Sequence, residues 1–246
     1  MEIVLYLAMT AAEFRENSGA YPHTAWMACH FSPYSTGLSN LPSHLPKGSL
    51  LILNDRTPVF GHSPERIAQQ LEEAAAQLEC DGVLLDFQRP GEPEAQAVAA
   101  AVAALSCPVA VTPQYAKDLN CAVFLPPVPL TTPLQEYLAP WQGREIWLEA
   151  ATDYECIRVG KDGSRQIPHE ETDLPYPHVD RNLHCKYRME VKEDHIDFHL
   201  CRDKAQLTAL MGEANRLGIH RFVGLYQQLG ASFSQATAQE MARFQS

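Results

Sequence analysis

Short apolar runs recur along this chain at nearly even spacing, with amphipathic segments between them. The runs occupy residues 3–8, 25–31, 50–53, 83–87, 109–111, 122–125, 146–148 and 222–226. Several are apolar without interruption, as in Val83, Leu84 and Leu85. Strands covered on both faces need that composition, because neither side meets water. Eight strands over this length leave roughly 28 residues per unit, the spacing of a compact eightfold barrel of about 250 residues.

The intervening segments carry helix signals. Ser63-Pro64-Glu65 supplies an N-cap, a first-turn proline and an early carboxylate, and Ile67, Leu71, Ala74 and Leu78 then share one face. Residues 92–105 begin with Pro93 and align Val98, Val102 and Leu105. Thr132-Pro133 opens a shorter helix bearing Leu134 and Leu138. Asp203 caps a helix with Leu207, Leu210, Met211, Ala214 and Leu217, which Gly218 closes.

One region breaks the rhythm. Cys185, Tyr187, Met189 and Val191 alternate with polar residues, and Ile196, Phe198 and Leu200 do so again after a charged turn. Period two predicts a hairpin that buries Tyr187, Met189, Ile196 and Phe198. A second hairpin is predicted around the Gly160-Lys161-Asp162-Gly163 turn. The prediction is an α/β fold, a (β/α)8 TIM barrel forming one domain over 1–246. A small β-rich insertion at 154–201 lies between strands seven and eight.

Composition narrows the partners. The formal net charge is −11, which disfavours nucleic acid and anionic membrane, since both reward a basic surface. No run approaches the ~18 apolar residues of a spanning helix. The apolar start carries Glu2, with Glu13 and Arg15 close behind, and reads as a core strand, not a targeting segment. Seven dispersed cysteines lack CxxC spacing and read as free thiols of a reducing, cytoplasmic compartment. His169, His178, His184 and His195 lack ligand spacing as well, so neither a metal nor another cofactor is expected. The oligomeric state is not legible.

The stretch Asp81-Gly82-Val83-Leu84-Leu85-Asp86-Phe87-Gln88 carries the most chemistry. Asp86 and Gln88 are two apart and share a side of the strand, at the carboxyl end where barrels place their sites. The stretch resembles the signature strand of family 18 glycoside hydrolases, the chitinase-like enzymes, whose pattern is Asp-Gly-x-Asp-x-Asp-x-Glu. Asp81, Gly82 and Asp86 match it, Leu84 stands for the middle Asp, and Gln88 stands for the final Glu. The order of hairpin, helix and last strand near the end of the chain is similar to the spore-cortex branch of that family. The resemblance implies a barrel that binds carbohydrate, with the final Glu as the group that protonates the leaving sugar. An amide has no such proton to give.

Other candidates fall at the predicted carboxyl ends of strands: Tyr6, His30, Asn54, Asp55, Thr112, Gln114, Glu149, Tyr226, Gln227 and Gln228. Carboxylates and amides can bind sugar hydroxyls, and tyrosine rings can pack on the apolar face of a pyranose. Each also has a plain structural reading: Asp55 could pair with the adjacent Arg56, and His30 and Tyr226 could be core residues. The leading expectation is a glycan- or small-molecule-binding protein impaired in hydrolysis. One alternative is an active glycosidase that pairs Asp86 with Glu149 or Asp55. Another is a barrel enzyme for a phosphorylated metabolite, which would be held at Gly230-Ala231-Ser232 before a helix.

Overall fold

Eight parallel strands close on themselves in the computed structural model, which describes residues 2–59, 61–168 and 174–230. In chain order the strands are β1 (Val4–Met9), β2 (Thr24–Phe31), β3 (Leu38–Ser39), β4 (Leu50–Asn54), β5 (Gly82–Asp86), β6 (Val109–Val111), β7 (Ala122–Leu125), β8 (Ile146–Glu149), β9 (Asp153–Gly160), β10 (Gly163–Ile167), β11 (His178–Asp180), β12 (Cys185–Val191), β13 (His195–Arg202) and β14 (Arg221–Leu225). The barrel runs β1-β14-β8-β7-β6-β5-β4-β2, and pairing of β1 with β2 closes it. Short β3 pairs antiparallel with the end of β2. All eight predicted runs are barrel strands, displaced by at most one residue at either end.

The helices are α1 (Ala11–Asn17), α2 (Pro64–Gln77), α3 (Pro93–Val102), α4 (Pro113–Ala116), α5 (Leu134–Leu138), α6 (Lys204–Arg216) and α7 (Tyr226–Leu229). Their ends follow the sequence signals. Thr10 and Glu13 form a reciprocal capping box on α1, Ser63 caps α2, and Asp203 accepts from the amides of Ala205 and Gln206 at the start of α6. Gly218, at φ +92°, follows α6 where only glycine is unstrained.

Alternation along each strand fills the barrel. Tyr6, Ala8, Ala25, Leu50, Ile52, Leu84, Ala110, Ala122, Phe124, Trp147 and Val223 form its buried core. Large and small residues complement each other, so Trp147 and Phe124 are matched by four alanines. Gly82 belongs to this fit. A Cβ there would lie 2.6 Å from the Pro108 carbonyl oxygen and 3.0 Å from the Trp147 ring. Gly82 is thus required by packing at the amino end of the barrel. Asp81 accepts a 2.8 Å hydrogen bond from the Tyr6 hydroxyl there.

The chain forms two compact units. The barrel unit comprises residues 1–126, 141–149 and 219–246; the second comprises 127–140 and 150–218. In the second unit β9 to β13 build one antiparallel sheet, ordered β10-β9-β13-β12-β11. Both predicted hairpins are present, and β11 is an addition that the sequence did not reveal.

The predicted burial of this sheet is corrected. Met189 is 46% exposed and Val191 75%, whereas Arg188, Asp197 and His199 on the other face are buried. Tyr187, Ile196 and Phe198 are only half-buried. The polar face is buried because its charges are paired. Arg158 grips Asp197 with two 2.8 Å hydrogen bonds, and Glu190 bonds Arg188 and lies 3.4 Å from His199. Apolar packing on the opposite face gathers Leu130, Cys185 and Leu200, with Ile157, Leu183 and Tyr187 around them. Buried Arg202 donates to the carbonyls of Val128, Leu183 and His184, a set of acceptors that satisfies a guanidinium without a carboxylate.

Candidate functional site

Strands β5, β6 and β8 of the barrel direct polar groups to its carboxyl mouth. Leu84 faces inward, so Asp86, two residues on and last in β5, faces inward as well. Trp147 and Glu149 repeat this relation on β8. Thr112 follows β6 directly, two residues after inward-facing Ala110, but turns its hydroxyl to the Phe87 carbonyl at 2.9 Å.

Asp86 and Glu149 are both half-buried. Burial raises the Asp86 carboxyl above its ordinary range. A hydrogen bond from the Gln88 amide to Oδ1 pulls it back, and the nearby charge of Asp55 pushes it up again. Glu149 is pushed up to about 7, first by burial and then by the charge of Asp86. Burial and the charge of Asp86 both favour the protonated form of Glu149.

The loops behind these groups are tied down. Asp55 is 4% exposed and accepts a 2.7 Å hydrogen bond from the Arg89 amide. The expected ion pair with Arg56 is replaced by this bond between loops, and the Arg56 carbonyl accepts from the Arg89 guanidinium. The Phe87 carbonyl accepts from Gln114 in addition to Thr112. Tyr115, which the sequence did not single out, donates to the Arg89 carbonyl. Its ring packs edge-on against buried Phe87, with centroids 5.8 Å apart. These bonds fix the chain at Phe87 and Arg89, immediately after Asp86. Only its place in the first turn after β6 could have signalled Tyr115.

Several sequence candidates lie elsewhere. Tyr6 is mid-strand and reaches toward the amino end, to Asp81 and the edge of the His23 ring; a long side chain inside a barrel can point away from the mouth. His30 bonds Asn40 and Thr57 and the Phe31 carbonyl, which accounts for both ring nitrogens. Asn54 donates to the carbonyls of Met27 and Cys29 and so satisfies the irregular stretch of β2. Tyr226 and Gln227 are not strand residues but the start of α7. The Tyr226 ring meets Tyr21 edge-on, and Gln227 donates to Glu13 at 2.9 Å. Residues 231 and 232 of the expected phosphate loop, and His169, lie outside the described residues. Among the described residues no group of three or more His, Cys, Asp or Glu is arranged to hold a metal ion. No helix among them is long and apolar enough to cross a membrane.

A closed (β/α)8 barrel with a β-rich insertion before its last strand gives this chain a glycoside-hydrolase-like fold, similar to solved structures of the chitinase-like type. The fold is similar to that of the spore cortex-lytic enzyme SleL from Bacillus cereus, with a TM-score of 0.58 at 9% identity over 99% of this chain and 74% of that one. It is similar to the chitinase-like agglutinin of Robinia pseudoacacia, with a TM-score of 0.59 at 12% identity over 98% and 99% of the two chains. It is also similar to the class V chitinase of Nicotiana tobaccum, solved as a glutamate-to-glutamine mutant in complex with NAG4, with a TM-score of 0.61 at 10% identity over 98% and 99%. No protein-family model matches the sequence, and no curated protein is similar to it at the level of sequence.

Proposed function

We propose that this protein binds an N-acetylglucosamine-containing glycan at the carboxyl mouth of its barrel and is impaired in the usual chitinase reaction. The observation that carries the reading is Gln88, an amide in the place of the family's acid, with its hydrogen bond donated to Asp86. A carboxamide can bind a sugar hydroxyl or an acetamido group but cannot protonate a leaving oxygen. Leu84 removes a second carboxylate of the signature and is 1% exposed in the barrel core. Two proteins of similar fold support the ligand class: the tobacco enzyme holds NAG4, and the Robinia protein is described as an agglutinin. The free thiols fit a reducing compartment, and we assign the protein to the cytoplasm on that ground.

Isothermal titration with (GlcNAc)4 and with peptidoglycan fragments tests the reading. Binding that Asp86→Ala weakens at least tenfold is expected. Absence of binding to these ligands and to a broad glycan array overturns it.

A further inference from the structure

We propose that the second unit binds a phosphate monoester, in the cavity beside the β9–β10 turn and the start of β13. The site uses none of the residues of the glycan-binding reading above and adds a second ligand class to it.

The cavity measures about 350 Å3, a volume that suits a small ligand. Arg158, Lys161, Arg165 and His195 line it. The chain as a whole carries a formal charge of −11, so this gathering of cations runs against its composition.

Strand register makes the gathering specific. Arg165 on β10 stands directly opposite Arg158 on β9, so both side chains leave the same face of the sheet. Like charges in that relation repel. Arg158 has its own counter-ion, because its Nε and Nη2 both donate to Asp197 at 2.8 Å. Its Nη1 makes no hydrogen bond among the described residues. Arg165 and Lys161 are exposed, and neither has a hydrogen bond or ion pair among those residues. An anion shared by the two arginines would turn their repulsion into attraction on both sides.

Most of the nearby acids are already engaged. Asp197 is gripped by Arg158. Asp194 Oδ1 lies 2.6 Å from His195 Nδ1, and His195 Nε2 lies 3.5 Å from Asp197. Asp162, on the turn, is the lining carboxylate without a partner among the described residues. Glycines keep the space open. Gly160 stands opposite His195 and puts no side chain between it and the arginines, and Gly163, at φ +105°, closes the turn.

The donor set selects phosphate. Two guanidinium groups come from two strands and an ammonium from the turn that joins them. A phosphate monoester offers such a set three terminal oxygens, whereas a carboxylate offers two in one plane. Arginine forks and a lysine point charge are the side chains that meet phosphate in this way.

The test is calorimetry on the whole protein with glucose 6-phosphate, inorganic phosphate and glucuronate. Both phosphates should bind, and glucuronate should bind roughly tenfold more weakly or worse. Raising salt from about 50 to about 500 mM should weaken binding of the phosphates, because exposed charges are screened. Lys161→Gln with Arg165→Gln should weaken glucose 6-phosphate roughly tenfold or more. That double variant should melt no lower than the wild type, since it loses no internal partner and relieves the repulsion on Arg158. Asp162→Asn should tighten binding, because it removes a carboxylate that competes for the same cations. No binding of either phosphate by the wild type, glucose 6-phosphate bound equally well by the double variant, or glucuronate bound as tightly as the phosphates overturns the inference. (GlcNAc)4 titrated into the same double variant should bind as it does to the wild type, so the two readings fail separately.

Discussion

The side-chain amide of Gln88 donates a hydrogen bond to Oδ1 of Asp86. The residue in the acid's position therefore serves a neighbouring carboxylate. Burial, and after it the charge of Asp86, favour the protonated form of Glu149.

Restoring the signature should not restore a chitinase. Gln88→Glu replaces a donor to Asp86 with a second negative charge, and Leu84→Asp places a carboxyl in an apolar core where the native side chain is 1% exposed. The single Gln88→Glu variant is expected to show little turnover of a fluorogenic chitobioside. Adding Leu84→Asp should cost at least ~3 kcal/mol of stability in urea titrations. A double variant that is both stable and rapid would show the mouth to be an ordinary chitinase site.

Stability should depend on pH through Glu149. Its folded pKa, about 7, lies above the ordinary 4.5. The folded state therefore holds the proton more tightly than the unfolded chain, and stability is greatest below about pH 4.5 as far as this group is concerned. It declines between about 4.5 and 7, by up to about 3 kcal/mol, and is level above that. Urea unfolding at pH 5 and pH 8 should show the decline, and Glu149→Gln should reduce it. An equal slope in that variant would assign the dependence to other groups.

Gly82→Ala should destabilise the barrel although it adds a single methyl group. The added carbon meets a backbone carbonyl at 2.6 Å and the buried Trp147 ring at 3.0 Å, and neither can move without disturbing strand pairing. A loss of about 1–3 kcal/mol is expected. An unchanged melting temperature would show that the amino end of the barrel repacks freely.

Arg158→Ala should destabilise the second unit. It removes both hydrogen bonds to Asp197, whose side chain is 8% exposed and whose pKa Arg158 lowers to about 2. Arg158 is itself one-third exposed, so solvent screening keeps the loss modest. This contribution is present above about pH 3.8 and disappears as pH falls toward 2. Arg158→Ala with Asp197→Asn should recover part of the loss in chemical denaturation; a double variant worse than the sum of the singles would contradict the pairing argument.

The strands and helix ends were legible in sequence because their causes are local. A short uninterrupted apolar run such as residues 83–85 suits a strand shielded on both faces, and Ser63-Pro64 and Asp203 cap helices through atoms a few residues away. The two-residue period also placed Asp86 at the mouth. Tertiary structure alone decided the rest. Tyr6 was read as a mouth residue, but its length carries the hydroxyl to Asp81 at the other end of the barrel. The alternation of Tyr187, Met189, Ile196 and Phe198 located one face of the sheet but not its burial: Met189 is exposed, and the opposite face is buried as well, because pairing of Arg158 with Asp197 makes burial of charge tolerable. The proton affinities of Asp86 and Glu149 arise from burial and from charges placed by segments more than 60 residues apart. A residue's own letter determines that it can hold a proton; the groups folded around it determine when it does.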